Sequence, residues 1–242
     1  MKKVAKKKIA VLKKVPKHTP KLSIIAVKPP EIPQGASYWI NRLQDDKQRD
    51  WFYGAENWLE DYVESVNHPH RQMILDILAT LDPFSSLLEI GCSVGPNLQK
   101  INARFPHANL FGIDLNKDAV DRAQTSVVRE GIEVRLGAAS MIPYDTKSMD
   151  VVLADASLMY AGPGEIGRIM EDIDRVAKRS VLIVDRYNES REGKVTGHVW
   201  GRNYTQLLTE KGFLAYEIKM TKKLWPESVN WQKYGRFFIG TK

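Results

Sequence analysis

Cysteine is almost missing from this chain. Among 242 residues Cys92 is the single example, so no internal disulfide can form, and no second Cys or His stands beside it at zinc-ligand spacing. A reducing, cytoplasmic setting is the expectation. The chain also lacks any apolar run of about 18 residues, the length a helix needs to cross a bilayer. Residues 1–33 lack the apolar segment and small-residue cleavage site of a secretory signal, and they carry lysine where a mitochondrial presequence would carry arginine and serine. Acidic residues are absent from the first 30 positions, which hold ten lysines. Internal repeats are absent as well.

The net charge of +7 would suggest a nucleic-acid partner, but it comes from one end. Outside residues 1–30 the chain holds 26 basic and 29 acidic residues. A basic face built into a folded domain, the footprint of a dedicated nucleic-acid enzyme, is therefore not expected. With Pro16, Pro20, Pro29, Pro30 and Pro33 among the lysines, residues 1–33 can build neither helix nor core and read as a disordered arm. Such an arm is either a solubilising tail or, through residues 1–30, a salt-sensitive tether to nucleic acid or another acidic surface.

Residues 34–242 are long enough for one domain. Its first part, 34–68, is rich in aromatics (Tyr38, Trp39, Trp51, Phe52, Tyr53, Trp58, Tyr62), and Leu59, Tyr62 and Val63 keep helical spacing, which predicts a helical cap. This cap either packs on the domain edge or closes over a cleft, where Tyr38, Arg42 or Trp58 could reach a ligand. From Pro69 onward a core is expected. The spacing of Met73, Ile74, Ile77 and Leu78 predicts a helix over 69–81, stopped before Asp82-Pro83.

Strand and helix then alternate, the pattern of a parallel sheet with crossover helices. Strands are expected at 87–90, 110–113, 133–136, 151–154, 181–184, 213–220 and 236–240. Helices are expected at 96–104, 117–129, 164–178 and 204–211, the last stopped by Gly212 in a left-handed cap. The fold class is α/β: a three-layer, Rossmann-like, doubly wound sheet of seven strands.

The chemistry concentrates in Leu87-Leu88-Glu89-Ile90-Gly91-Cys92-Ser93-Val94-Gly95-Pro96-Asn97, where a buried strand ends in an acid, turns through two glycines and starts a helix. At the carboxyl edge of a parallel sheet, such a turn lets backbone approach a ligand and offers free helix N–H groups. Asp114, 23 residues beyond Gly91, closes the second strand, where a carboxylate can accept both hydroxyls of a ribose. The dinucleotide pattern G-x-G-x-x-G fails, because Ser93 and Pro96 occupy two of its glycine positions.

The segment instead resembles the E/D-x-G-x-G-x-G first motif of the class I S-adenosylmethionine-dependent methyltransferases. The likeness covers residues 69–242 and includes Gly112-Ile113-Asp114-Leu115, Gly137 to Tyr144 and Met149-Asp150-Val151-Val152. It implies S-adenosylmethionine as cofactor, an antiparallel last strand and methyl transfer as the activity. It further implies that Glu89, Gly91, Ser93 and Gly95 line the methionine and ribose part, that Asp114 holds the ribose, that Leu115 flanks adenine and that Ser140 faces the adenine edge. Asp155 would stand at the floor beside the transferred methyl. Two positions depart from the pattern: Ser93 replaces the middle glycine, tolerable if its backbone angle is ordinary, and Ala138 stands where many members carry an acid.

Asp155 and His198 are the candidate bases, needed for a hydroxyl acceptor and optional for an amine. His198, in the loop before the last helix, reads equally as a surface histidine. His68, His70 and His107 read as helix-start or turn residues, and no metal site is expected. The leading function is methyl transfer to a small-molecule acceptor, such as a sugar or metabolite hydroxyl. An RNA or protein methyltransferase using the arm is the alternative, although Asp155-Ala156-Ser157-Leu158 replaces the Asn-Pro-Pro-Tyr type tetrapeptide of many base-modifying relatives. A non-catalytic binding module on the same fold is the third reading.

Overall fold

A computed structural model describes residues 38–40, 42, 58–81, 83–129, 131–189, 194–196 and 199–242. The basic arm, residues 1–33, and His198 lie outside the described residues. The order of elements is α1 (Trp58–Glu64), α2 (Pro69–Leu81), β1 (Ser86–Ile90), α3 (Pro96–Arg104), β2 (Asn109–Asp114), α4 (Lys117–Ser126), β3 (Ile132–Leu136) and β4 (Met149–Asp155). There follow α5 (Pro163–Val176), β5 (Ala177–Arg186), β6 (Lys194–Thr196), β7 (Val199–Trp200), α6 (Tyr204–Glu210), β8 (Leu214–Lys219), α7 (Val229–Tyr234) and β9 (Gly235–Thr241).

Seven strands form one sheet in the order β3-β2-β1-β4-β5-β9-β8. Strands β1 to β5 pair in parallel, and β9 runs antiparallel to both β5 and β8. Side chains along each strand alternate between two cores, as a period of two requires. Leu87, Val151, Leu153, Leu182 and Phe237 join the core under α2, α3, α4 and α7. Leu88, Val152, Ala154, Ile183 and Phe238 join the core under α5 and α6. The result is the three-layer, doubly wound architecture expected from the sequence.

The element ends follow local chemistry. Proline opens α2, α3 and α5, where a missing N–H costs nothing. Asn116 and Asn203 cap α4 and α6 by accepting the N–H groups of Ala119 and Gln206. Gly212 has φ +79°, the left-handed stop predicted for α6. Three readings need correction. Helix α4 ends at Ser126 rather than 129, with Val127 as its C-cap. Helix α5 ends at Val176 rather than 178, because Ala177 already pairs with Met149 and begins β5. The β6–β7 pair and α7 were missed; both are too short for periodicity to register.

The strand order reverses between β1 and β4. At that point the crossovers leave on opposite faces, opening a crevice beyond the carboxyl ends of the strands. Glu89, Asp114 and Asp155 all stand at this edge.

Candidate active site

The turn after β1 is built around close backbone contacts. Gly91 has φ +74°, and a Cβ there would lie 2.4 Å from the Cβ of Ser157. The neighbour that requires glycine at position 91 is thus the loop after β4, whose Ser157 hydroxyl donates to the Ile90 carbonyl at 2.8 Å. Gly95 has φ +84° and precedes α3. Ser93 does not have the ordinary angle its serine would favour: its φ is +49°, in the left-handed region. That conformation aims the Ser93 N–H at Asp114 Oδ2, 2.8 Å away. The Ser93 hydroxyl is buried without a partner among the described residues.

Asp114 also accepts the Asn116 N–H on Oδ1 at 2.8 Å. Burial raises its pKa, and the backbone donors oppose that rise. Each oxygen keeps a lone pair for a further donor, as a ribose diol would require. Leu115 follows, half-buried, and Ser140 lies half-buried in the turn closed by the Met141 N–H on the Ala138 carbonyl at 3.1 Å. Cys92 is 1% exposed, packs against Gly112, and its thiol is pushed well up by burial.

Glu89 is 2% exposed. One carboxyl oxygen accepts Asn97 Nδ2 at 2.7 Å, and Oε2 has no partner among the described residues. Burial pushes this carboxyl up to about 8, with Asn97 opposing. Glu89 does not cap α3, whose N-cap is Gly95 without a side-chain bond.

Asp155 lies beside it, its side chain 5% exposed. Its Oδ2 accepts three donors: His70 Nε2 at 2.9 Å, Arg71 Nη1 at 3.0 Å and Asn97 Nδ2 at 2.9 Å. Burial alone would raise its pKa, but His70, Arg71 and Asn97 together hold it well below the usual carboxylate range. A carboxylate held that firmly is a poor general base. Its Oδ1 is buried without a partner among the described residues.

His70, Arg71 and Asn97 were not singled out as site residues, although two signals were available. His70 and Arg71 fall on the stripe that Ile74, Ile77 and Leu78 mark as buried, where a polar residue needs a partner. Asn97 is 2% exposed, directly after the proline that starts α3. Arg71 spends its other donors on the Ser65 carbonyl and hydroxyl, each at 3.0 Å, and on Asn97 Oδ1 at 2.6 Å.

The aromatic cap reaches across this edge. Trp39 offers its carbonyl to Asn116 Nδ2 at 2.7 Å, beside the end of β2. Its ring meets Tyr160, beyond the end of β4, with centroids 5.0 Å apart. Since β1 lies between those strands, residues 38–40 bridge the end of β1. Trp58 is buried against Val94 and Ala119, and the Arg42 guanidinium lies 4.6 Å from the Trp39 ring and 4.5 Å from the Trp58 ring.

Residues 88–184 match the family model described as a methyltransferase domain. This chain has the class I, Rossmann-like methyltransferase fold. The carboxy-S-adenosyl-L-methionine synthase of Helicobacter hepaticus is 21% identical over 166 residues, covering 64% of this chain and 69% of the relative. The fold aligns with a chain from the complex between the Haloferax volcanii Trm112 methyltransferase activator and a putative methyltransferase, at 14% identity, 87% and 97% coverage and a TM-score of 0.58. It also aligns with the magnesium protoporphyrin IX methyltransferase of Synechocystis holding S-adenosylhomocysteine, at 13% identity, 86% and 97% coverage and a TM-score of 0.59. A methyltransferase domain is what the family model gives for residues 88–184, and the cofactor to set against the site is the S-adenosylmethionine held by a solved structure of the same fold.

The residues of the methyltransferase crevice fit that cofactor. Three acids surround the turn, and two of them keep a buried oxygen with no partner among the described residues. A ligand bearing a sulfonium, an ammonium and a ribose diol supplies the cations and donors that such oxygens lack.

Proposed function

We propose that this methyltransferase acts on a small-molecule acceptor, through a hydroxyl or amine that donates a hydrogen bond to Asp155. The unpartnered Oδ1 of Asp155, at the edge beside the cofactor turn, carries the reading. The aromatic bridge of Trp39 and Tyr160 supports it, because a covered crevice suits a compact acceptor better than a polymer. Asp114 holds the ribose, Glu89 and the turn Gly91–Gly95 line the methionine end, and Leu115 and Ser140 border the adenine. The bound cofactor supplies an electrophilic methyl carbon. The chain's own task is to align the acceptor and exclude water.

The Helicobacter hepaticus relative is named for a carboxylated form of the cofactor. A carboxylated reactant would need a free cation at the floor, and four of the five N–H donors of Arg71 are engaged by Ser65, Asn97 and Asp155. That reading is therefore not favoured. The basic arm supports tethering to RNA or to an acidic protein only through its charge.

Calorimetry with S-adenosylhomocysteine tests the cofactor site. Binding is expected, and Asp114→Ala should weaken it about 10- to 100-fold, the loss of hydrogen bonds to a charged group. Tritiated methyl incorporation into a cell lysate split into RNA, protein and metabolite fractions tests the acceptor class. Label confined to the RNA or protein fraction would overturn the small-molecule proposal.

A further inference from the structure

Four side chains run in line from the crevice floor to the surface. Asp155 Oδ2 meets His70 Nε2 at 2.9 Å, and His70 Nδ1 meets His68 Nδ1 at 2.5 Å. His68 Nε2 then meets Glu227 Oε2 at 3.1 Å, where the Glu227 side chain is 63% exposed. Trp225 lies against both imidazoles, with ring centroids 4.6 Å and 4.5 Å away.

Three hydrogen bonds need three protons. A carboxylate can only accept, so each Nε2 must carry a hydrogen toward its acid. Two neutral imidazoles then have no hydrogen left, and their Nδ1 lone pairs would face each other at 2.5 Å. The middle gap closes only if one further proton sits in it. A metal ion cannot take that place, because two ligand nitrogens each about 2.0 Å from zinc stand more than 3 Å apart in tetrahedral geometry.

We propose that His68 and His70 share one extra proton, making the pair a single cation that, with Arg71, fixes Asp155 as an anion at the acceptor side of the crevice. The histidines are positioning residues: they act through Asp155. The acceptor-side role rests on the methyltransferase reading, whereas the shared proton does not.

The surrounding charges balance this count. Asp155 and Glu227 contribute two negative charges, and Arg71 and the shared proton contribute two positive ones. Glu89 faces Asp155 across Asn97 Nδ2, and burial pushes its carboxyl up to about 8, so it adds little negative charge at neutral pH before a ligand binds. As an isolated ring His70 would lose its proton early, because burial drives it to about 4 against the pull of Asp155. Burial drives His68 down too, against the pull of Glu227. The two expectations differ sharply, and a titration separates them.

The test is nitrogen-15 NMR of the full chain, labelled at histidine, across pH 4 to 9. The expected result at pH 7 is one ring protonated on both nitrogens, a strongly downfield proton coupled to Nδ1, and loss of both signals in a single step above pH 7. Glu227→Gln should move that step down by about half a pH unit, the worth of an exposed ion pair. In His68→Phe the downfield signal should vanish and His70 should titrate near 4. Two neutral rings at pH 7, or loss of the proton near pH 4 in the unaltered chain, would overturn the proposal. The measurement needs no cofactor, so failure to bind S-adenosylhomocysteine would count against the enzyme reading and leave this result standing.

Discussion

Asp155 ends β4 and Asp185 stands one residue before the end of the adjacent β5, and both side chains are buried. Their carboxyl groups nevertheless behave oppositely. Asp155 receives three side-chain donors, two of them from cationic or protonatable groups, and is held ionised. Asp185 receives the Arg186 N–H at 2.7 Å and a long bond from the Tyr204 hydroxyl at 3.3 Å. The nearby Arg202, itself fully buried, gives Nη1 and Nη2 to the carbonyls of Leu158 and Ala161. Desolvation therefore wins at Asp185, whose pKa is raised to about 7. Burial is shared, so the supply of donors decides which acid is a charge and which is a neutral group.

The comparison can be broken most forcefully at Asp155. Asp155→Ala leaves Arg71 and His70 buried without their shared partner and should cost about 3–5 kcal/mol of stability in urea unfolding. A loss under 1 kcal/mol would mean the cluster is solvated and the contrast is false.

Asp185→Asn probes the other acid through pH. The native carboxyl keeps its proton up to about 7, whereas the unfolded one loses it near the ordinary value of 3.8. Native Asp185 thus weakens the fold progressively as pH rises from about 4 to about 7. The asparagine variant lacks this slope, so it should gain about 3–4 kcal/mol on the parent between those pH values. Unfolding midpoints that stay parallel across that window would exclude a neutral Asp185.

Asn97→Ala sharpens the contrast by making Asp155 more like Asp185. Removal of a donor common to Glu89 and Asp155 should cost about 1–3 kcal/mol and raise the Asp155 pKa. Its signature is a parent-to-variant gap that narrows in acid. The smallest effect is expected at Ala156, which joins the two regions: its N–H donates to the Val184 carbonyl at 2.8 Å, and its φ is +53°. Ala156→Gly relieves a left-handed alanine and should raise stability by about 0.5–1 kcal/mol. A destabilised variant would show that the Ala156 methyl packs usefully.

Much of the fold could be read before any coordinate. Helix α2 matched its predicted span, and all seven strands of the main sheet were placed, because buried apolar runs and prolines mark them strongly. What escaped was short or set by pairing, such as β6–β7 and the handover from α5 to β5 at Ala177. The candidate site was legible along the chain but not across it. Glu89, Gly91, Gly95 and Asp114 lie in two continuous segments, so spacing alone brought them into view. His70 and Arg71 stand 85 and 84 positions from Asp155, and no local pattern announces a contact of that reach. The condition set for Ser93, an ordinary backbone angle, is not met for a related reason: a left-handed angle at a non-glycine residue is set by its partner, Asp114, and not by its own preference.

The lone thiol of the chain sits inside the cofactor turn, sealed against Gly112 and unreactive as long as that turn stays shut. The molecule therefore contains its own clock for local opening. A thiol-specific dye can modify Cys92 only in the intervals when the bend after β1 comes apart, and no second sulfhydryl blurs the record. Any nucleoside that occupies the crevice should slow that clock by the same factor by which it tightens the bend.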